Sequence, residues 1–212
     1  FFVSIIYIHY TASFTNQQPI VQEDWPQKYA RIANMKYVAL LRGINVGKGK
    51  RVDMKTLKAM FESLGYRNVS TYINSGNVLF EGNGECKDIR RMVEAAIKQE
   101  FAVEIPTLII TGKQVVEIAS ALPADWQNDS IQKSDVAFLF PEIDKESTIE
   151  ELPIKREFID TRYVKGAICW NVSRENYNKS HLNKIIGHKS YQFMTVRNVN
   201  TARYLAGKIQ AQ

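Results

Sequence analysis

Hydrophobic and polar positions repeat in two successive passes along the chain, each alternating short apolar runs with amphipathic stretches. In the first pass, Tyr37-Val38-Ala39-Leu40-Leu41 is a continuous apolar run that predicts a buried strand. After a glycine-rich loop, Asp53 is placed to N-cap a helix, because its carboxylate can accept from free first-turn amides. Met54, Leu57, Phe61 and Leu64 mark one face of that helix, and Gly65 is its natural stop. Val69 to Ile73 and Val78 to Phe80 flank Asn74-Ser75-Gly76-Asn77, a hairpin signal built from residues that tolerate positive φ. A second helix is expected over Asp88 to Phe101, with Ile89, Met92, Val93, Ala96 and Ile97 inward, followed by a strand over Ile105 to Ile110. The order βαββαβ is that of a split βαβ, ferredoxin-like unit. Thr111 and Gln114 have capping-box spacing and open a linking helix to Leu122, stopped by Pro123.

The second pass has the same order. Val136 to Phe140 reads as a strand, and Ser147 and Glu150 as a capping box opening a short helix that ends at Pro153. Phe158 to Val164 and Ala167 to Val172 form a hairpin around Lys165-Gly166. Asn178 to Ile186 reads as a helix stopped by Gly187, Gln192 to Val196 as a strand, and a closing helix begins near Thr201. The expected class is therefore α+β: two small lobes, each of split βαβ character. The boundaries implied are a first lobe over 35–112, a linking helix and loop over 113–134, and a second lobe over 135–212.

Residues 1–34 do not share this pattern. They open on Phe1-Phe2-Val3-Ser4-Ile5-Ile6 without Met, and Lys28 is the first basic residue, so a secretory signal is a poor fit. The segment reads as an upstream or non-native extension before a start at Met35, with an extra strand or linker, or a truncated targeting segment, as alternatives. Of the 212 residues, 45% are hydrophobic and 24% charged, which excludes a mainly disordered chain. No run approaches the roughly 20 apolar residues of a membrane helix. The two cysteines, Cys86 and Cys169, make neither a disulfide framework nor a common zinc pattern and read as reduced, cytoplasmic thiols. No cofactor or metal is implied.

Three segments carry a likeness. Met35 to Gly47, containing Arg42-Gly43-Ile44-Asn45-Val46-Gly47, resembles the opening of the bacterial family known as domain of unknown function 1697. The hairpin Thr71 to Val78 and the late segment Thr195-Val196-Arg197-Asn198-Val199-Asn200-Thr201 resemble that family's other hallmarks. The resemblance spans Met35 to about Gly207 and implies two small α+β lobes, with no activity, substrate or catalytic residues attached. It also implies an aromatic residue, usually Trp, where this chain has Val199, so stacking is not expected from that position.

Net charge is +6, but it is segregated. Lys36 to Lys58 carries seven cations against Asp53, Lys113 to Asp160 carries eleven acids against five cations, and Arg162 to Gln212 carries nine cations against Glu175. Two basic ends bracket an acidic middle. Within the first, the loop Arg42 to Arg51 has glycines that let amides converge on an anion, and cations around them. It is neither a Walker loop nor a dinucleotide fingerprint, and a flexible basic turn is the simpler alternative. Arg42, Asn45, Lys48, Lys50 and Arg51, joined by Arg197 and Asn198 from the late segment, are the candidate anion-binding residues. In that late segment Asn200 or Thr201 is the expected helix cap, which leaves Arg197 and Asn198 for function.

If both basic ends meet in one cleft, the partner is nucleic acid or a small anionic ligand. An enzyme acting on a phosphorylated or carboxylated metabolite is one alternative, and a protein-interaction module another. No recognised catalytic motif is present. The strands aligned with the base-stacking strands of RNA-recognition domains lack the aromatic consensus. Tyr163, Trp170, Tyr177 and Tyr191 are the aromatics nearest the C-terminal cations.

Overall fold

A computed structural model describes residues 35–47 and 50–211. The first sheet contains β1 (Met35–Leu41), β2 (Arg67–Tyr72), β3 (Asn77–Gly82) and β4 (Thr107–Thr111) in the spatial order β2-β3-β1-β4, all antiparallel. This is the sheet of a split βαβ unit. The second sheet repeats the order as β6-β7-β5-β8, from β5 (Gln132–Leu139), β6 (Asp160–Val164), β7 (Ala167–Ser173) and β8 (Met194–Asn198). The protein is therefore α+β, with two lobes of matching topology.

Side-chain alternation explains why β1 reads as a continuous apolar run. Tyr37, Ala39 and Leu41 face a core closed by α1 (Met54–Ser63) and α2 (Cys86–Phe101), while Val38 and Leu40 face the opposite side. That opposite side is a core common to both lobes. Leu79, Leu108 and Ile110 of the first sheet and Val136, Phe138 and Cys169 of the second pack with α3 (Gly112–Ser120) and α5 (Val199–Ala211). The second sheet's other face, with Ala137, Leu139, Ile168 and Trp170, is covered by α4 (Thr148–Glu151) and several 3₁₀ turns. No helix among the described residues is long and apolar enough to cross a membrane.

Local signals hold where the chemistry is local. Asp53 Oδ1 accepts from the Thr56 amide at 2.8 Å, and that bond holds its carboxyl below the usual range. Thr111 and Gln114 form the full reciprocal capping box. The Ser147 side chain makes no cap bond, although the short helix after it does form. The helix expected over Asn178 to Ile186 is instead a 3₁₀ segment over Leu182–Gly187, preceded by His181 at φ 58°. Ser180 accounts for the break, since its hydroxyl donates to the Tyr177 carbonyl and accepts from the Leu182 amide. Residues 1–34, read from sequence as an extension, lie outside the described residues.

Candidate functional site

The three segments that carried the family likeness meet at one end of the molecule, where β1 and β8 terminate. The loop after β1 is drawn in by Asn45, at φ 55°. Its amide group donates to the carbonyls of Val52 at 2.9 Å and Asn74 at 3.0 Å, and its Oδ1 accepts from the Val52 amide at 3.0 Å. One side chain thus closes the loop and fastens it to the β2–β3 turn. In that turn Ile73 has φ 46° and is 50% exposed, an unfavourable backbone for a β-branched residue. Val46, in the loop, is 69% exposed.

Arg197 is the centre of the junction and is only 8% exposed. Its Nε donates to Asn77 Oδ1 at 2.6 Å. Its Nη1 donates to Thr195 Oγ1 and the Val196 carbonyl, and its Nη2 to the carbonyls of Leu41 and Ser75, both at 2.8 Å. All five N–H donors of the guanidinium are thereby satisfied. Asn77 is itself fully buried, and its amide donates back to the Tyr72 carbonyl and Ser75 Oγ. Burial pushes the Arg197 pKa down to about 10, so it is charged at neutral pH. Arg42 works in the reverse direction, from the first lobe to the second. Its Nε and Nη2 donate to the Met194 and Tyr191 carbonyls, and its guanidinium lies 5.2 Å from the Tyr191 ring centroid.

The candidate residues thus divide. Arg42, Asn45 and Arg197 share one junction, but their donors point into the protein. Asn198 is a helix cap: its Oδ1 accepts from the Thr201 amide at 2.9 Å. That corrects the expectation that Asn200 or Thr201 caps α5, because α5 begins two residues earlier than the apolar pattern indicates. Asn198→Ala is expected to cost about 1 kcal/mol in urea denaturation, with Asn198→Asp recovering most of it. Arg51 is exposed and donates to the Gly47 carbonyl at 3.0 Å. Lys50, also exposed, donates to the Glu104 carbonyl, while the Glu104 carboxylate is held by Lys98 at 2.7 Å. Lys48 lies outside the described residues.

Several acids of the chain's acidic middle are paired, as in Glu142 with Arg90, Glu150 with Arg156 and Glu151 with Lys145. Among the described residues, Arg42, Arg51 and Arg197 have only neutral hydrogen-bond acceptors and no carboxylate partner. Carbonyls satisfy the geometry of a guanidinium without cancelling its charge. No group of three or more acidic, histidine or cysteine side chains suited to a metal ion occurs among the described residues.

The four aromatics nearest the C-terminal cations, Tyr163, Trp170, Tyr177 and Tyr191, are used in packing. Trp170 is buried and donates to Asp135, Tyr163 donates to Asp144, and Tyr191 lies under Arg42. The exposed aromatic feature near the junction is Tyr204 of α5 stacked on Tyr72 of β2. Its one sequence signal was Tyr72, inside the hairpin hallmark.

Relatives agree with this architecture. The solved structure of "conserved bacterial protein SP0830 from Streptococcus pneumoniae" is similar with a TM-score of 0.71 and 27% identity, covering 84% of this chain and 99% of that one. No curated protein matches the chain. The pattern of the family described as "Protein of unknown function (DUF1697)" matches residues 35–170, which contain the first sheet, the loop, the hairpin and most of the second sheet. The chain belongs to that family.

Proposed function

We propose that the protein binds an anionic partner, nucleic acid, at the end of the molecule where the Arg42–Arg51 loop, the β2–β3 turn and β8 meet. The observation that carries this reading is the uncompensated charge of Arg42, Arg51 and Arg197. Two guanidiniums fixed inside the junction and a third exposed on the loop contribute positive charge with no carboxylate bonded to any of them among the described residues. Such charge attracts polyanions and raises their association rate. The division of labour is specific. Arg42 and Arg197 set the potential and hold the loop, whereas the exposed Lys50 and Arg51 are available to touch phosphates. Two unpaired cysteines, of which Cys169 is buried, fit a reducing, cytoplasmic setting for this partner.

Titration of labelled single- and double-stranded nucleic acid at several salt concentrations tests the reading. Phosphate neutralisation releases counterions, so affinity must fall steeply as salt rises. The double variant Lys50→Ala/Arg51→Ala is expected to weaken binding and to lower the salt slope by roughly 2, with the melting temperature retained. Absence of binding at low salt, or an affinity indifferent to salt, overturns the proposal. Stabilisation by small phosphates without polymer binding would replace nucleic acid by a small anion.

A further inference from the structure

Beside the junction, the Tyr72 and Tyr204 rings stack with centroids 3.6 Å apart and planes 15° from parallel. Tyr72 closes β2 just before the turn, and its carbonyl accepts from Asn77, the same side chain whose Oδ1 accepts from Arg197. The aromatic pair is thus two hydrogen bonds from the buried guanidinium. Asn74, two residues after Tyr72, receives the Asn45 amide of the basic loop. Tyr204 is 37% exposed, and the Lys208 ammonium, one helical turn further along α5, lies 5.6 Å from its centroid. Lys208 is exposed and has no carboxylate partner among the described residues.

An exposed aromatic ring and a neighbouring cation are the two chemistries that single-strand binding requires. Tyr72 covers one face of the Tyr204 ring and the exposed Lys208 ammonium lies over the ring, so a nucleobase stacks on Tyr204 by displacing that ammonium, a cation–π contact worth less than a stacked base. Lys208, once displaced, supplies a counter-charge for the adjoining phosphate. Tyr72 holds the platform from behind: it is half-buried, packed against the shared core, and anchored through its backbone to the turn. A duplex keeps its bases stacked on each other and cannot use such a surface. We infer that Tyr204, backed by Tyr72, is a base-stacking platform, so that the polyanion taken at this end is single-stranded nucleic acid. The inference rests on the nucleic-acid reading above and adds to it the strand state and the residue that reads it.

The test uses the full chain and three fluorescein-labelled probes: oligothymidylate, an abasic strand of equal length, and a duplex. The native chain is expected to bind oligothymidylate about tenfold more tightly than the abasic strand, the difference being one stacked base. Tyr204→Ala should erase that preference while leaving abasic affinity unchanged, and Tyr204→Phe should keep it. Equal, salt-dependent affinity of the native chain for the thymine and abasic strands overturns the platform and leaves the anion reading standing. No binding of any strand at low salt removes both. The native-chain comparison needs no variant to fold, and melting curves of both Tyr204 variants exclude a general loss of structure. A thymine preference that survives Tyr204→Ala also overturns the assignment.

Discussion

Replacing Arg197 by Met should lower the unfolding free energy by about 3–5 kcal/mol, measured by urea denaturation, because it strips partners from several buried acceptors at once. Met is of similar length and apolar, so packing is largely kept and the loss falls on hydrogen bonding. Asn77 Oδ1 and the carbonyls of Leu41 and Ser75 lose their shared donor, and they belong to the lobe opposite β8. Each buried acceptor left bare costs about 1–3 kcal/mol, partly offset by no longer burying a charge. Arg197→Lys should fall between, since an ammonium has three donors on one centre and cannot span acceptors arranged around a planar fork. The effect should be the same at pH 6 and pH 8. Burial lowers the folded pKa to about 10, below the ordinary arginine value, so folded and unfolded forms are both protonated in that range and bind equal numbers of protons. A loss under about 1 kcal/mol would show that Arg197 does not tie the lobes together.

The same residue marks the boundary of what the sequence could reveal. The strands, the Asp53 cap and the Thr111–Gln114 box depend on neighbours within a few positions, and periodicity reports such neighbours. The repeated strand order was legible because each pass presents the same succession of runs and turn signals. Arg197 is different. Its acceptors Asn77, Leu41 and Ser75 lie 120 to 156 positions away in the chain, and only the docking of the two lobes brings them to it. Read locally, an arginine in a strand is a surface cation; here it is buried and consumed. Asn198 failed for a smaller reason. Three capping residues crowd one segment, and which of them caps depends on where α5 starts. The charge pattern did locate the basic ends, but not which cations face outward. Lys50 and Arg51 do, and Arg42 and Arg197 do not.

Gly76→Ala is expected to cost about 3–4 kcal/mol, the sum of a backbone term and a steric one. Gly76 lies at φ +76°, where an L-residue pays about 1–2 kcal/mol. A Cβ there would stand 2.7 Å from Leu41 Cβ and 2.8 Å from Ile44 Cδ1. Ile44 can turn its terminal methyl aside, but Leu41 Cβ is fixed to a strand paired on both sides, so the turn itself must move. That movement would pull the Gly76 carbonyl from the Leu41 amide, now 2.8 Å away, and shift the Ser75 carbonyl that Arg197 grips. Gly65 separates the two terms, because it has φ +86° and nothing within 4 Å of an added Cβ. Gly65→Ala should therefore show the backbone term alone, about 1–2 kcal/mol. Equal losses at the two glycines would mean that the turn yields freely, and the close approach would then carry no energy. If the approach is rigid, Gly76→Ala and Arg197→Met damage the same contact, and the double variant should lose less than the sum of the two.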